Sequence, residues 1–355
     1  MKVAIDGRLC FRDRAGIGRY VYELQSALAR ADTSAEVTLV LDARDTSTLA
    51  AVPVRRVGTP VRHRLERTTL PVELRGFDVV HFVDHGLVPM MRARQVVTVH
   101  DVSFLTYPDT HSSASRSYYA QAVRTLKAAN GVIAVSAHVR NALLERQLAR
   151  PATVRVIPEA PASAFAAPPE ADGYLGSSTP YALFLGTIQP RKNLLRVASA
   201  FAAAAIDSDA QLLVAGALGY RGSEIVREIT TRGRWGGRVR FLGRVSDRTA
   251  ARLLRHARLA LVLSIDEGFG LPVLEAMAAG TPCVVANAGA LPETAGGAAE
   301  LADPFDEDSM AAAIACVWTD DRRRSELTRL GRRRVQDFTW DRTARLTAEV
   351  YKNSA

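Results

Sequence analysis

A chain of 355 residues with 48% hydrophobic side chains is long enough for two domains of ordinary size, each with its own core. Its 46 Lys and Arg against 37 Asp and Glu leave a formal net charge of +9, which calls for anionic partners or an Arg-rich solvated surface. The basic runs at 55–56, 62–67, 322–324 and 332–334 lack interleaved aromatics and fit no nucleic-acid-binding motif, so nucleic acid is set aside in favour of an anionic membrane surface or a phosphorylated substrate.

Strands and helices alternate along the chain. Residues 3–6 read as a strand, 18–30 as a helix, 37–41 as a strand and 52–57 as a weaker one. Strands at 78–83 and 96–100 follow, then a helix at 113–129, a strand at 132–135, a helix to Leu148 and a strand at 154–157. A proline-rich break comes next, and residues 161–180 read as an interdomain linker. The alternation restarts with YALFLG at 181–186. It runs on through QLLVAG, VRFLG, LALVLS and CVVAN, with helices starting at Leu194, Ser223, Asp247 and Leu271. A last helix, 340–351, follows an Arg-rich segment. Such βα alternation requires parallel sheets covered on both faces. The expected fold is α/β, with two Rossmann-like doubly wound domains at 1–160 and 181–338 facing across a cleft at the carboxyl ends of their strands.

Several chemistries are disfavoured by absence of pattern. Cys10, Cys283 and Cys316 are widely spaced and suggest reduced thiols rather than a disulfide framework. MKVAID enters a strand with no basic-then-apolar leader, and no apolar run reaches the roughly 18–20 residues needed to cross a bilayer. A cytoplasmic location is expected. His63, His81, His85, His111, His138 and His256 show no metal-ligand spacing, and no metal or cofactor is expected. Neither a G-x-S-x-G elbow nor a P-loop is present.

The informative stretch is SIDEGFGLPVLEAMAAG at 264–280. An apolar strand runs into the loop Asp266, Glu267, Gly268, Phe269, Gly270, and a helix opens at Leu271 with Pro272 in its first turn and closes at Gly280. A glycine loop before a helix start offers backbone N–H groups to an anion. Glu267 and Glu275 bracket it, and carboxylates are bidentate acceptors suited to paired sugar hydroxyls. The alternative is an ordinary strand–glycine–helix unit with a solvated Glu. In GTIQPRKN at 186–193, Gly186 permits close backbone approach, and Arg191 and Lys192 could neutralise a diphosphate. Asn193 reads as the N-cap of the next helix. His100 and Asp101 end a first-domain strand at its ligand-binding edge, where an imidazole could meet a sugar hydroxyl or serve only structure. Gly16 and Gly18 form a glycine loop before the first helix. Val21 stands where the third glycine of a dinucleotide fingerprint belongs, although Asp42 partly mimics its ribose acid.

Together AGIGRY, the HD pair, LGTIQPRKN, EGFGLPVLEAMAAG, NAGALPE and the final TWDRTA…VY segment resemble the retaining GT-B glycosyltransferases of family 4, over essentially the whole chain. The resemblance implies that Glu275 holds the ribose and that Glu267 contacts donor-sugar hydroxyls. Gly270 and Leu271 would meet the diphosphate, beside Gly268 and Phe269, and Arg191 and Lys192 would clamp its other side. His100 would lie against the transferred sugar, Gly16 and Gly18 with Asp101 would serve the acceptor side, and the 339–355 helix would pack back on the first domain. It implies a nucleotide-sugar donor, GDP-mannose first, and a glycan or lipid-linked acceptor of surface polysaccharide or lipopolysaccharide assembly at the inner membrane face. A soluble secondary-metabolite acceptor or a nucleotide-sugar epimerase is the alternative. Three positions depart from the family pattern: Ala15 for a glycine, Ile157-Pro158-Glu159-Ala160 for I-P-N-G, and Asp266 as an extra acid.

Overall fold

The computed structural model describes residues 1–11, 16–46, 50–84, 87–88, 91–167, 179–231, 235 and 237–354. Ala15, His85 and the greater part of the expected linker, 168–178, lie outside them. The chain forms two compact units. Met1–Thr106, Ser113–Glu159 and Phe338–Ala355 make the first, and Tyr107–Ser112 with Ala160–Asp337 the second.

The first unit contains strands β1 (Lys2–Asp6), β2 (Glu36–Asp42), β3 (Val54–Val57), β4 (Val79–Phe82), β5 (Arg94–Val99), β6 (Gly131–Ala134) and β7 (Val154–Val156). They form one parallel sheet in the order β3-β2-β1-β4-β5-β6-β7. The helix Ile17–Arg30 buries Tyr20, Val21, Leu24 and Leu28, one stripe at helical spacing. The C-terminal helix Trp340–Asn353 packs against it in this same unit, burying Trp340, Ala344, Ala348 and Tyr351. Thr339 starts that helix by accepting a hydrogen bond from the Arg342 amide at 3.2 Å.

The second unit contains β8 (Tyr181–Leu185), β9 (Gln211–Ala215), β10 (Val239–Gly243), β11 (Leu259–Val262), β12 (Cys283–Ala286) and β13 (Glu300–Ala302). Their order, again parallel, is β10-β9-β8-β11-β12-β13. β11 and β12 are buried along their whole length, hence their unbroken apolar sequence. The chain reverses its direction of winding next to β1 in one sheet and next to β8 in the other, and ligands of such sheets bind beyond the carboxyl ends there. Among the described residues no helix is long and apolar enough to cross a membrane.

Two helix ends differ from expectation, and two stretches without an expected element carry structure. The helix expected at 113–129 stops at Val123, and a separate turn Leu126–Ala128 follows. There the Thr125 hydroxyl donates to the Ala122 carbonyl at 2.6 Å, competing with the helix ladder. The helix expected to reach Leu148 ends at Glu145, because Gln147 adopts φ 53°. Within the expected linker of 161–180, residues 161–167 carry structure of their own. Ser163–Ala166 is a helical turn with Phe165 buried, and it packs on the helices Asp247–His256 and Leu271–Ala279. The Arg-rich segment after β13 forms the helix Asp321–Arg334, following Glu307–Thr319. Much of its charge is internal to the fold. Arg323 bonds Glu300 at 2.9 Å, Arg324 donates to the Trp318 carbonyl at 2.6 Å, and Arg334 donates to the Glu293 carbonyl at 2.8 Å.

On β4, His81 is fully buried with both nitrogens bonded, Nδ1 to the Tyr351 hydroxyl and Nε2 to Thr98 Oγ1, each at 2.8 Å. Burial, with a smaller contribution from His100, lowers its pKa from the ordinary 6.5 to about 3. The unfolded chain therefore takes up this proton first. The stability is intact above pH 6.5 and falls as pH drops toward 3, by up to about 1.4 kcal/mol per pH unit. Urea unfolding of His81→Gln between pH 7 and 4 should show a shallower pH slope than the parent; identical slopes would refute the assignment.

Candidate functional site

The second unit gathers the charged residues of its two motifs where β8 and β11 meet. β8 leads through Gly186 into the turn Pro190–Lys192, and β11 leads into Ser264–Gly270. The two exits are locked by backbone, since the Ile265 amide donates to the Arg191 carbonyl at 3.0 Å. Arg191 Nη1 then donates to the Asp266 carbonyl at 2.6 Å and to Glu267 Oε2 at 2.8 Å. Lys192 Nζ bonds Glu267 Oε1, which also accepts from the Ser264 hydroxyl at 2.7 Å. One carboxylate thus sits between two cations, with the buried Asp266 next to it in the loop.

Burial alone would raise the Glu267 pKa. Lys192 and then Arg191 outweigh it and hold the carboxyl at about 2, against an ordinary 4.5. Glu267 is ionised at any working pH. The helix Leu271–Ala279 opens directly afterwards. Gly270 precedes it at φ 99° with no side chain to cap it, and Gly280 closes it at φ 81°. Pro272 carries no amide and the Val273 amide donates to the Gly270 carbonyl at 2.9 Å, so the partial positive charge of this helix start falls to the Gly270 and Leu271 amides. Gly268 and Phe269 are buried in that loop, and Glu275, one turn into the helix, is also buried rather than solvated.

Asn193 stands at the N-cap of the helix Leu194–Ala203 as expected, but its side chain does not bond that helix's amides. It adopts φ 63°, and its Nδ2 donates to the Leu263 and Pro304 carbonyls at 3.1 and 2.7 Å. It ties the cationic turn to the end of β11, a role readable only once both loops are folded. Ser264 was likewise unmarked in the sequence, because a serine at a strand end carries no signal of its own. Gly289, inside NAGALPE, backs the loop. A Cβ there would stand 2.7 Å from Asp266 Oδ1 and 2.8 Å from both the Glu267 amide and carbonyl, at φ +58°. Gly289→Ala must displace Glu267. We expect it to cost about 1–3 kcal/mol and to lower catalytic turnover, read by thermal unfolding and initial rates; a variant matching the parent in both would disprove the contact.

In the first unit His100 follows β5, and its Nδ1 bonds Glu159 Oε1 at 2.6 Å. Tyr20 presses edge-on against the ring, with centroids 4.8 Å apart. Asp101 shapes the local backbone. Its carboxylate accepts from the Ser103 hydroxyl at 3.0 Å and the Ser103 amide at 3.2 Å, starting the turn Ser103–Thr106. Gly16 is exposed at φ 52° before the first helix, where a Cβ would meet open space, and Gly18 is buried within that helix. Asp42, the partial match to a ribose acid, is paired with Arg44, which holds it through Nε and Nη2 at 2.8 and 2.7 Å. Glu159 was missed as a site residue, because its partner lies 59 positions away in sequence.

Residues 14–160 match the family model described as Glycosyltransferase Family 4, and residues 174–334 match Glycosyl transferases group 1. The chain is similar to the O-antigen chain mannosyltransferase B of Escherichia coli, 30% identical over 95% of this chain and 96% of that protein. Among solved structures it is similar to a sucrose-phosphate synthase from Thermosynechococcus elongatus, with TM-score 0.78 and 23% identity over 99% of this chain and 98% of that one. It is also similar to Anabaena HepE in complex with UDP and glucose, with TM-score 0.76 and 17% identity over 98% of each chain. Both structural likenesses speak to the fold.

Proposed function

We infer the reaction from the premise that this chain belongs to the glycosyltransferases, its first half to the family 4 model and its second to group 1. It transfers a mannose-like hexose, with retention of configuration, from a nucleoside diphosphate sugar to a hydroxyl of a lipid-linked glycan in surface polysaccharide assembly at the cytoplasmic face of a membrane. The name of the Escherichia coli relative supports the sugar and the pathway class. The observation that carries the donor reading is the convergence of Arg191, Lys192 and the uncapped start of the helix Leu271–Ala279 on one loop. Two cations and a helix N-terminus match a diphosphate.

On this reading Arg191, Lys192 and the amides of Gly270 and Leu271 take the diphosphate, with Gly186, Gly268 and Phe269 shaping the loops. Glu275 takes the ribose hydroxyls and Glu267 those of the hexose. His100 meets the transferred sugar, and Gly16, Gly18 and Asp101 serve the acceptor. The bond from the anomeric carbon to the diphosphate oxygen breaks through an oxocarbenium-like transition state. The acceptor oxygen attacks from the face the diphosphate leaves, and the departing oxygen takes the acceptor's proton. Charge developing on the diphosphate is met by preorganised cations.

A panel of nucleotide sugars tests this through release of nucleoside diphosphate. GDP-mannose is expected to turn over fastest, equally with and without EDTA, because protein cations carry the leaving group. The product should keep the donor's anomeric configuration. Isomerisation of the donor without any acceptor would mean an epimerase, and an inverted product would overturn the mechanism.

A further inference from the structure

Two histidines of the first unit, His81 fully buried and His100 half-buried, are treated differently. His81 has both ring nitrogens bonded, as a structural histidine should. His100 has Nδ1 bonded to Glu159, whereas its buried Nε2 has no hydrogen-bond partner among the described residues. An unpaired buried nitrogen costs stability unless something outside the chain completes it.

Its partner is just as deliberate. Glu159 is 4% exposed, and a buried carboxylate is costly without a partner. It is also held still. The Ile157 amide donates to the Ala134 carbonyl at 2.9 Å, and the Thr343 hydroxyl donates to the Pro158 carbonyl at 2.7 Å. β7 therefore delivers Glu159 to the carboxyl edge of the sheet, where β5 delivers His100. The other side of the imidazole is closed by Tyr20, whose hydroxyl is bonded to Thr98 Oγ1 at 3.0 Å. The ring is thus fixed in orientation by Tyr20 and in tautomer by Glu159.

We propose that Glu159 is a positioning residue for glycosyl transfer, which keeps the proton of His100 on Nδ1 and so presents Nε2 to a hydroxyl of the donor sugar. This rests on the reading of His100 as the residue that meets the transferred hexose. A carboxylate behind an imidazole selects the tautomer and aims the far nitrogen, and loss of such a partner typically costs 10- to 100-fold. The departure of this chain from I-P-N-G at 157–160 thereby gains a function: the acid stands at the position that reaches His100.

The test compares the full-length parent, Glu159→Gln, Glu159→Leu, His100→Ala and the double variant His100→Ala/Glu159→Leu, in GDP-mannose turnover and by 15N NMR of the imidazole. Glu159→Leu should lower kcat about 10- to 100-fold with donor KM within about twofold. Glu159→Gln keeps an acceptor oxygen and should fall between. In the His100→Ala background Glu159→Leu should cost nothing further, and the Nδ1-protonated tautomer of the parent should become mixed in Glu159→Leu. A Glu159→Leu loss as large without His100 as with it, or an unchanged tautomer, overturns the inference while the role of His100 survives. Parent-like kcat in His100→Ala overturns that role and the inference with it. Glu159→Gln, which keeps the side-chain volume, decides the matter if Glu159→Leu fails to fold.

Discussion

Arg191→Ala is expected to lower kcat by about 100- to 1,000-fold, the usual cost of deleting one preorganised donor from a site of developing negative charge. The side chain is 9% exposed, so its charge acts through little water. Its Nη1 holds both the Asp266 carbonyl and Glu267, so the same deletion loosens the loop that carries Glu267. The backbone lock through the Arg191 carbonyl and the Ile265 amide survives the substitution, and the fold should persist. Arg191→Lys should recover little, because one ammonium cannot reproduce a planar fork. Steady-state kinetics at saturating donor decides it. Turnover within threefold of the parent would remove Arg191 from the diphosphate.

Removing Glu267 is expected to produce the largest stability loss. Glu267→Gln leaves Arg191 and Lys192 without this counter-charge, a change that costs about 3–5 kcal/mol in comparable buried pairs. A second route gives a similar size. The carboxyl is held at about 2 against an ordinary 4.5, worth on the order of 3 kcal/mol. A depressed carboxyl stabilises above its unfolded pKa, and that stability is lost as pH falls from about 4.5 toward 2. The parent should therefore exceed Glu267→Gln by about 3 kcal/mol at pH 7, with the gap shrinking below pH 4.5. Denaturant unfolding followed through the second unit measures it, since two units need not unfold together. A gap that is constant with pH would mean the ion pairs contribute nothing.

The two α/β halves, the glycine-ended helix Leu271–Ala279 and the cationic turn at Arg191 and Lys192 were legible in the amino-acid order, because each is local. Apolar runs of four or five residues force buried strands, Gly270 and Gly280 supply the positive φ that a helix start and stop require here, and a Pro-Arg-Lys turn can be read without its neighbours. β13, with three residues, is too short to leave a periodic trace, and Thr125 broke a helix that periodicity continued.

What the sequence determined by itself was the succession of elements and the chemical type of the two charged loops of the second unit. Tertiary structure decided which groups meet. Asn193, at the N-cap of its helix, was also made a tie between two loops by its side chain, and Glu267 was placed between Arg191 and Lys192, 75 or 76 positions away. His100, just after β5, was joined to Glu159, just after β7, across the end of β6. Hydrogen bonds and ion pairs act only at contact distance, whereas local propensity acts over a few residues. A parallel sheet brings the carboxyl ends of distant strands to one edge, so pairings at that edge are written in the order of the strands rather than in the spacing of the residues.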